Sequence, residues 1–129
     1  MTKQQAFDKM VAHLASQGKR CMKHGRCAYR ADDGTKCVVG CMISDEAAER
    51  VATQNFHQTA VIHQSTWNML REELALEGVD ERAAQNFYHA MQQAHDQNTD
   101  PVTLKRALTV VAVNNSLDGG SIDNITNWS

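Results

Sequence analysis

The chain has 129 residues, the length of one domain, and its 42% hydrophobic and 22% charged residues exclude a disordered chain. A formal net charge of −2 argues against a protein that wraps duplex nucleic acid with a strongly basic surface. No apolar run approaches the roughly 20 residues that a membrane-spanning helix needs, and the first residues lack the apolar core of a signal peptide. We therefore expect one helical domain over residues 1–117 and a C-terminal tail over residues 118–129, in the cytoplasm and without membrane association.

Hydrophobic periodicity and capping residues predict about five helices. Thr2 and Gln5 form a capping-box pattern at the start of the first helix, and Gly18 follows its end. The pattern over residues 54–63 is ambiguous, and the tail either frays or docks Trp128 on the domain. The predicted helices cover residues 3–17, the stretch from Ser44 to about Thr53, residues 65–77, a stretch that begins at Asp80, and the stretch from Pro101 to about Asn115.

Between the first two helices, the sequence predicts a β-hairpin around Asp33-Gly34, a strong turn signal. With Gly34 in the left-handed conformation, Tyr29 lies opposite Cys37, and Cys27 lies opposite Val39. One face of the hairpin is then apolar and carries Cys27, Tyr29, Cys37, Val39 and Cys41, whereas Ala28, Arg30, Lys36 and Val38 lie on the other face. The expected fold is mainly α with one β-hairpin (α+β), in which about five helices pack around a hairpin near residues 27–39.

The four cysteines allow three interpretations. We favour thiols that pack as small hydrophobic side chains of the core, since the spacing lacks the two paired knuckles of common zinc motifs. A zinc site is the alternative, and redox chemistry is the third interpretation. We therefore expect no cofactor, with zinc as the alternative. The zinc ligands would be Cys27, Cys37, Cys41 and either Cys21 or His24.

A basic stretch over residues 19–26 is the strongest charge feature, and Arg30 and Lys36 of the predicted hairpin add to it. In the preferred register these two side chains are neighbours on the outer face, accessible to an acidic partner or a phosphate. The competing interpretation is a solvated loop that balances nearby acidic residues. The candidate partner-binding residues are Lys23, Arg26, Arg30 and Lys36.

The hairpin segment also resembles a group of small uncharacterised bacteriophage and prophage proteins. The matching residues are Cys-x-Tyr-Arg at 27–30 and Lys-Cys-x-x-Gly-Cys with Ile-x-Asp at 36–45, followed by Gln-x-x-His-Asp at 92–96. The chain departs from the group at Ser44, where proline is frequent, at Cys41, where alanine is frequent, and at Cys21, which lies outside the pattern. The resemblance implies a phage origin and a location in the bacterial host cytoplasm.

Catalytic motifs are sparse. The sequence contains neither a nucleotide-binding glycine loop nor a nucleophile elbow. The pair His95-Asp96 also occurs in metal-dependent phosphohydrolases, but their sites need further histidines and a distant aspartate, so we interpret His95 as a residue of a helix C-terminus. We expect a small phage-type interaction protein, such as an inhibitor, that binds and modulates a host or phage macromolecule. The alternatives are a nucleic-acid-binding module that uses residues 19–36, or a small zinc or thiol protein.

Overall fold

The computed structural model describes residues 1–54 and 63–129, and over these residues the fold is mainly α with one β-hairpin, as predicted. Residues 55–62, where the sequence was ambiguous, lie outside the described residues. Within the described ranges, none of the helices combines the length and apolarity needed to cross a bilayer. The elements are α1 (Lys3–Gln17), β1 (Met22–Lys23), β2 (Arg26–Cys27), α2 (Asp45–Thr53), α3 (Gln64–Leu70), α4 (Glu81–Gln97), α5 (Pro101–Asn114) and a 3-10 helix, Gly120–Asn124.

Local capping determines where most helices begin. The Thr2 hydroxyl accepts the Gln5 amide at 3.1 Å, and the Gln5 side chain accepts the Thr2 amide at 2.9 Å, so the predicted capping box of α1 is confirmed. At the starts of α2, α4 and α5, the side chains of Ser44, Asp80 and Asp100 each accept the backbone amide three residues later, without the reciprocal bond of a capping box.

Helix α3 is shorter than predicted. It ends at Leu70, and residues 71–74 form turns that carry Leu74 into the core. The chain then runs beside its own N-terminus, where the Glu77 amide donates to the Met1 carbonyl at 3.0 Å. This long-range bond replaces the final helical turns that the periodicity predicted.

The C-terminal tail packs against the domain. Ile122, Ile125 and Trp128 are buried, and the Trp128 indole N–H donates to the Asn98 carbonyl at 2.8 Å. The indole also meets the His95 ring edge-on, with 5.5 Å between the ring centroids. The tail therefore covers the end of α4.

The hairpin lies earlier in the chain than predicted. Strands β1 and β2 pair Met22 with Cys27 around His24 and Gly25, whose φ angles of 54° and 75° suit a two-residue hairpin turn. The predicted pairing over residues 27–39 is reduced to one antiparallel bridge between Arg30 and Lys36. That bridge has the predicted register, but the prediction of extended strands on both sides of it was wrong.

The second predicted strand stops because the chain turns directly after the bridge. The Cys41 amide donates to the Cys37 carbonyl, and the Met42 amide donates to the Val39 carbonyl, both at 3.0 Å. Strand alternation therefore ends, and Val38 is buried although it was predicted on the outer face. Ala28, also predicted on that face, is buried as well.

Gly40 allows this turn to pack closely. A β-carbon at Gly40 would lie 1.9 Å from the Tyr29 carbonyl oxygen, so any larger residue forces the backbone apart. We expect Gly40→Ala to lower the free energy of unfolding by about 3 kcal/mol, measured by urea denaturation. Gly34→Ala is the control. A β-carbon at Gly34 would meet no neighbouring atom, so the loss should come only from placing alanine at a φ of 87°, which costs about 1 to 2 kcal/mol. Equal losses for the two variants would contradict the close packing at Gly40.

Candidate functional site

The last turns of α4 place three polar side chains on one buried face. Gln92, His95 and Asp96 are spaced three and four residues apart, so they point to the same side of the helix. Gln92 and His95 are fully buried, and the Asp96 side chain is 10% exposed. These residues form the Gln-x-x-His-Asp motif of the sequence, but no sequence pattern indicated what Gln92 does.

His95 connects α4 to the segment that contains the cysteines, residues 21–41, which we call the cysteine segment. The Nδ1 atom of His95 lies 2.6 Å from Asp96 Oδ1, and Nε2 accepts the backbone N–H of Cys21 at 3.0 Å. An acceptor nitrogen carries a lone pair, so the proton of the neutral ring sits on Nδ1 and is donated to Asp96. Packing and hydrogen bonding therefore hold His95 in place. The sequence suggested only a favourable interaction with the helix dipole, whereas the structure shows that His95 also joins α4 to the Cys21 amide.

Gln92 makes the second connection to the cysteine segment. Its Nε2 donates to Asp96 Oδ1 at 2.8 Å, and its Oε1 accepts the Val39 amide at 3.3 Å. Two backbone amides of the cysteine segment, those of Cys21 and Val39, thus find their acceptors on α4. Buried backbone donors need such partners, so this network fixes how the segment docks on the helix.

The thiol of Cys27 lies beside this network. Among residues 1–54 and 63–129, Cys27, His95 and Asp96 form the one group of three metal-ligating side chains whose ligand atoms lie within 4.8 Å of one another. Cys27 Sγ is 3.4 Å from Met22 Sδ and 4.0 Å from the Asp96 carbonyl oxygen. Burial, followed by the negative charge of Asp96, raises the pKa of the Cys27 thiol to about 12.

The other three cysteines do not join that group, so the described residues do not assemble the predicted zinc ligands. The Cys21 thiol donates to the Thr35 carbonyl at 3.2 Å, and the Cys41 thiol donates to the Val38 carbonyl at 3.1 Å. Cys37 Sγ accepts the Gly40 amide at 3.2 Å. Burial raises the pKa of all three thiols, that of Cys41 to about 11, which disfavours the reactive thiolate. His24, the alternative ligand, lies in the hairpin turn.

The structure separates the candidate partner-binding residues into different environments. Lys23 lies 3.5 Å from Asp32, and its neighbour in the basic stretch, Lys19, lies 3.5 Å from Asp33. Arg26 is exposed on β2, and Lys36 is half-buried at the bridge. The acidic turn therefore balances part of the basic stretch, in line with the competing interpretation of a solvated loop.

Arg30 holds the turn after the bridge, and the expectation that it simply projects toward a partner needs correction. Its guanidinium donates to the carbonyls of Gly40 at 3.2 Å and Ile43 at 2.8 Å, and it forms an ion pair with Asp45. Its side chain is 24% exposed, and its hydrogen bond lowers the pKa of the Asp45 carboxyl. The acceptors arise only when residues 37–43 turn, so no local pattern showed this role.

We expect Arg30→Ala to lower the free energy of unfolding by about 1.5 to 3 kcal/mol, because two part-buried carbonyls lose a charged donor. Lys36→Ala, the matched change across the bridge, should stay within about 0.5 kcal/mol of the parent protein. Urea denaturation of both variants measures the difference. Equal stability of the two variants would show that the Arg30 contacts contribute nothing to folding.

The site thus consists of an α4 motif, two backbone amides of the cysteine segment and the Cys27 thiol. The helical spacing of residues 92–96 and the presence of four cysteines were the sequence signals for this site. The sequence did not show that α4 and the cysteine segment contact each other. No family model, curated protein or solved structure matches the chain.

Proposed function

We propose that the protein is a small interaction protein of the phage type that binds a host or phage protein and modulates it. An exposed apolar stripe on α5 carries this proposal. Val102, Val110 and Val113 are 64%, 53% and 71% exposed, and they are three of the five exposed large hydrophobic residues within the described ranges. Single exposed apolar residues are common on protein surfaces, but three on one helix concentrate apolar area that a partner could cover.

The three valines lie on one side of the helix. At 3.6 residues per turn, their side chains point within about 80° of one another, and Arg106 lies between them. A groove of about 560 Å³ runs between α4 and α5, lined mainly by alanine and asparagine side chains together with Phe87, Val110 and Val111. Small side chains along its walls let a partner approach the helices closely. We call the three valines and this groove the α5 surface.

The charges around the α5 surface favour an acidic, amphipathic partner helix. Lys3 lines the groove, with its ammonium 3.1 Å from Asn115 Oδ1 and 5.7 Å from the centre of the Phe87 ring. Arg106 is exposed in the middle of the valine stripe. A helix that places apolar residues on the valines and acidic residues near these two cations would complement the surface.

The nucleic-acid alternative receives less support. Two lysines of the basic stretch are paired with Asp32 and Asp33, and Arg30 is committed to the turn it stabilises. A phosphate backbone would have to compete with these internal contacts. We therefore place the partner surface on α5 instead of the hairpin.

The test places a photo-crosslinking residue at Val113 or, as the control position, at Arg26, in a bacterial host that expresses the protein. We expect a discrete adduct with one protein partner from position 113 and none from position 26. An adduct from Arg26 alone would return the partner surface to the hairpin. An adduct of two copies of the chain would replace the proposal with self-association.

The captured partner is then purified, and its affinity is measured for matched variants. We expect Val110→Asp combined with Val113→Asp to weaken binding by about tenfold or more, since a charge would be buried against an apolar contact. Arg26→Ala should change the affinity less than twofold. Because both valines are exposed, the double variant should fold like the parent chain, which circular dichroism checks. Unchanged affinity of the folded double variant would contradict the proposal.

A further inference from the structure

We propose that Cys27, His95 and Asp96 form a zinc-binding site, with Sγ, Nδ1 and a carboxylate oxygen as ligands. One ligand atom from each of the three residues already lies within 4.8 Å of the other two, and the ligands of a tetrahedral zinc ion lie about 3.5 Å apart. One sulfur, one nitrogen and one oxygen suit a borderline-soft ion, and a water molecule would complete four-fold coordination. This inference does not depend on the α5 surface.

Two parts of the chain form the site, and both are held in place. Asp96 Oδ1 accepts a hydrogen bond from Gln92 Nε2 at 2.8 Å, and this bond orients the carboxylate without using the proton on His95 Nδ1. Cys27 belongs to β2, whose pairing with Met22 positions the thiol at the end of α4. Cys27 is only partly buried, which leaves a path from solvent to the thiol. Preorganised ligands reduce the entropy that metal binding costs.

The thiol itself gains little from its position without a cation. Its contact with the Asp96 carbonyl is long, at 4.0 Å, and the carboxylate beside it opposes ionisation. Because Cys27 is only partly buried, packing alone does not explain why a cysteine stands at this position. A divalent cation would reverse the local electrostatics, because it stabilises the thiolate and the carboxylate together.

Metal binding would also alter the hydrogen bond to Cys21. Zinc would displace the proton that His95 Nδ1 shares with Asp96 Oδ1, and these two atoms, now 2.6 Å apart, would have to separate to about 3.3 Å to bind the same ion. The ring proton would then move to Nε2. A protonated Nε2 cannot accept the Cys21 amide, so that bond is released. The Cys27 thiol proton leaves to solvent, and one proton is therefore released for each zinc ion bound. The site would thus couple zinc binding to the position of the cysteine segment.

The first experiment titrates the reduced protein with Co²⁺ as a spectroscopic probe and with Zn²⁺ in competition with a coloured chelator. We expect one ion per chain and a thiolate-to-cobalt absorption band. Cys27→Ser should remove the band and weaken zinc binding by about 100-fold, whereas Cys41→Ser, a matched loss of a part-buried thiol, should change neither. A missing band in the parent protein, or a band lost only in Cys41→Ser, would overturn the proposal.

The second experiment needs no variant and follows backbone amides of the parent protein by NMR during zinc addition. The Cys21 amide should shift and exchange faster with solvent, because its acceptor is lost. The Val39 amide, whose acceptor Gln92 is not a ligand, should keep its protection. Zinc binding that leaves the Cys21 amide unchanged would overturn the assignment of Nδ1 as the ligand atom.

Discussion

The buried imidazole of His95 is the interaction on which the arrangement of the other parts depends. Its two nitrogens contact Asp96 and the Cys21 amide, and its ring meets Trp128 of the tail. A buried polar group that loses its partner costs about 1 to 3 kcal/mol. The contacts of His95 therefore favour one arrangement of α4, the cysteine segment and the C-terminal tail. Gln92 strengthens the same geometry through the Val39 amide, and the position of Cys27 beside α4 follows from it.

Most helix boundaries could be predicted because the signals that determine them are local. The capping box of Thr2 and Gln5 and the left-handed Gly18 define α1 without reference to any other element. The hairpin was misplaced because two competing turn signals, His24-Gly25 and Asp33-Gly34, lie nine residues apart. Packing of Gly40 against the Tyr29 carbonyl bends the chain after the second turn, and that contact has no local signature.

The candidate site combines a visible motif with partners that the sequence could not supply. The sequence shows His95 and Asp96 as an adjacent pair, but the backbone amides that donate to His95 and Gln92 belong to residues 74 and 53 positions away. Arg30 is a parallel case, because its acceptors are backbone carbonyls that become available only where the chain turns. The α5 surface was missed for a different reason. Periodicity identified the buried stripe of the helix, whereas exposed valines on the opposite side become informative only when no described element covers them.

Amide hydrogen exchange of Cys21 and Val39 in the metal-free protein tests this account most directly. Both amides are predicted to exchange only through large-scale unfolding, at rates close to those of core helical amides, because their acceptors are buried side chains of α4. Exchange of both amides at the rate of an unprotected chain would show that α4 does not hold the cysteine segment, and it would contradict the central role of His95.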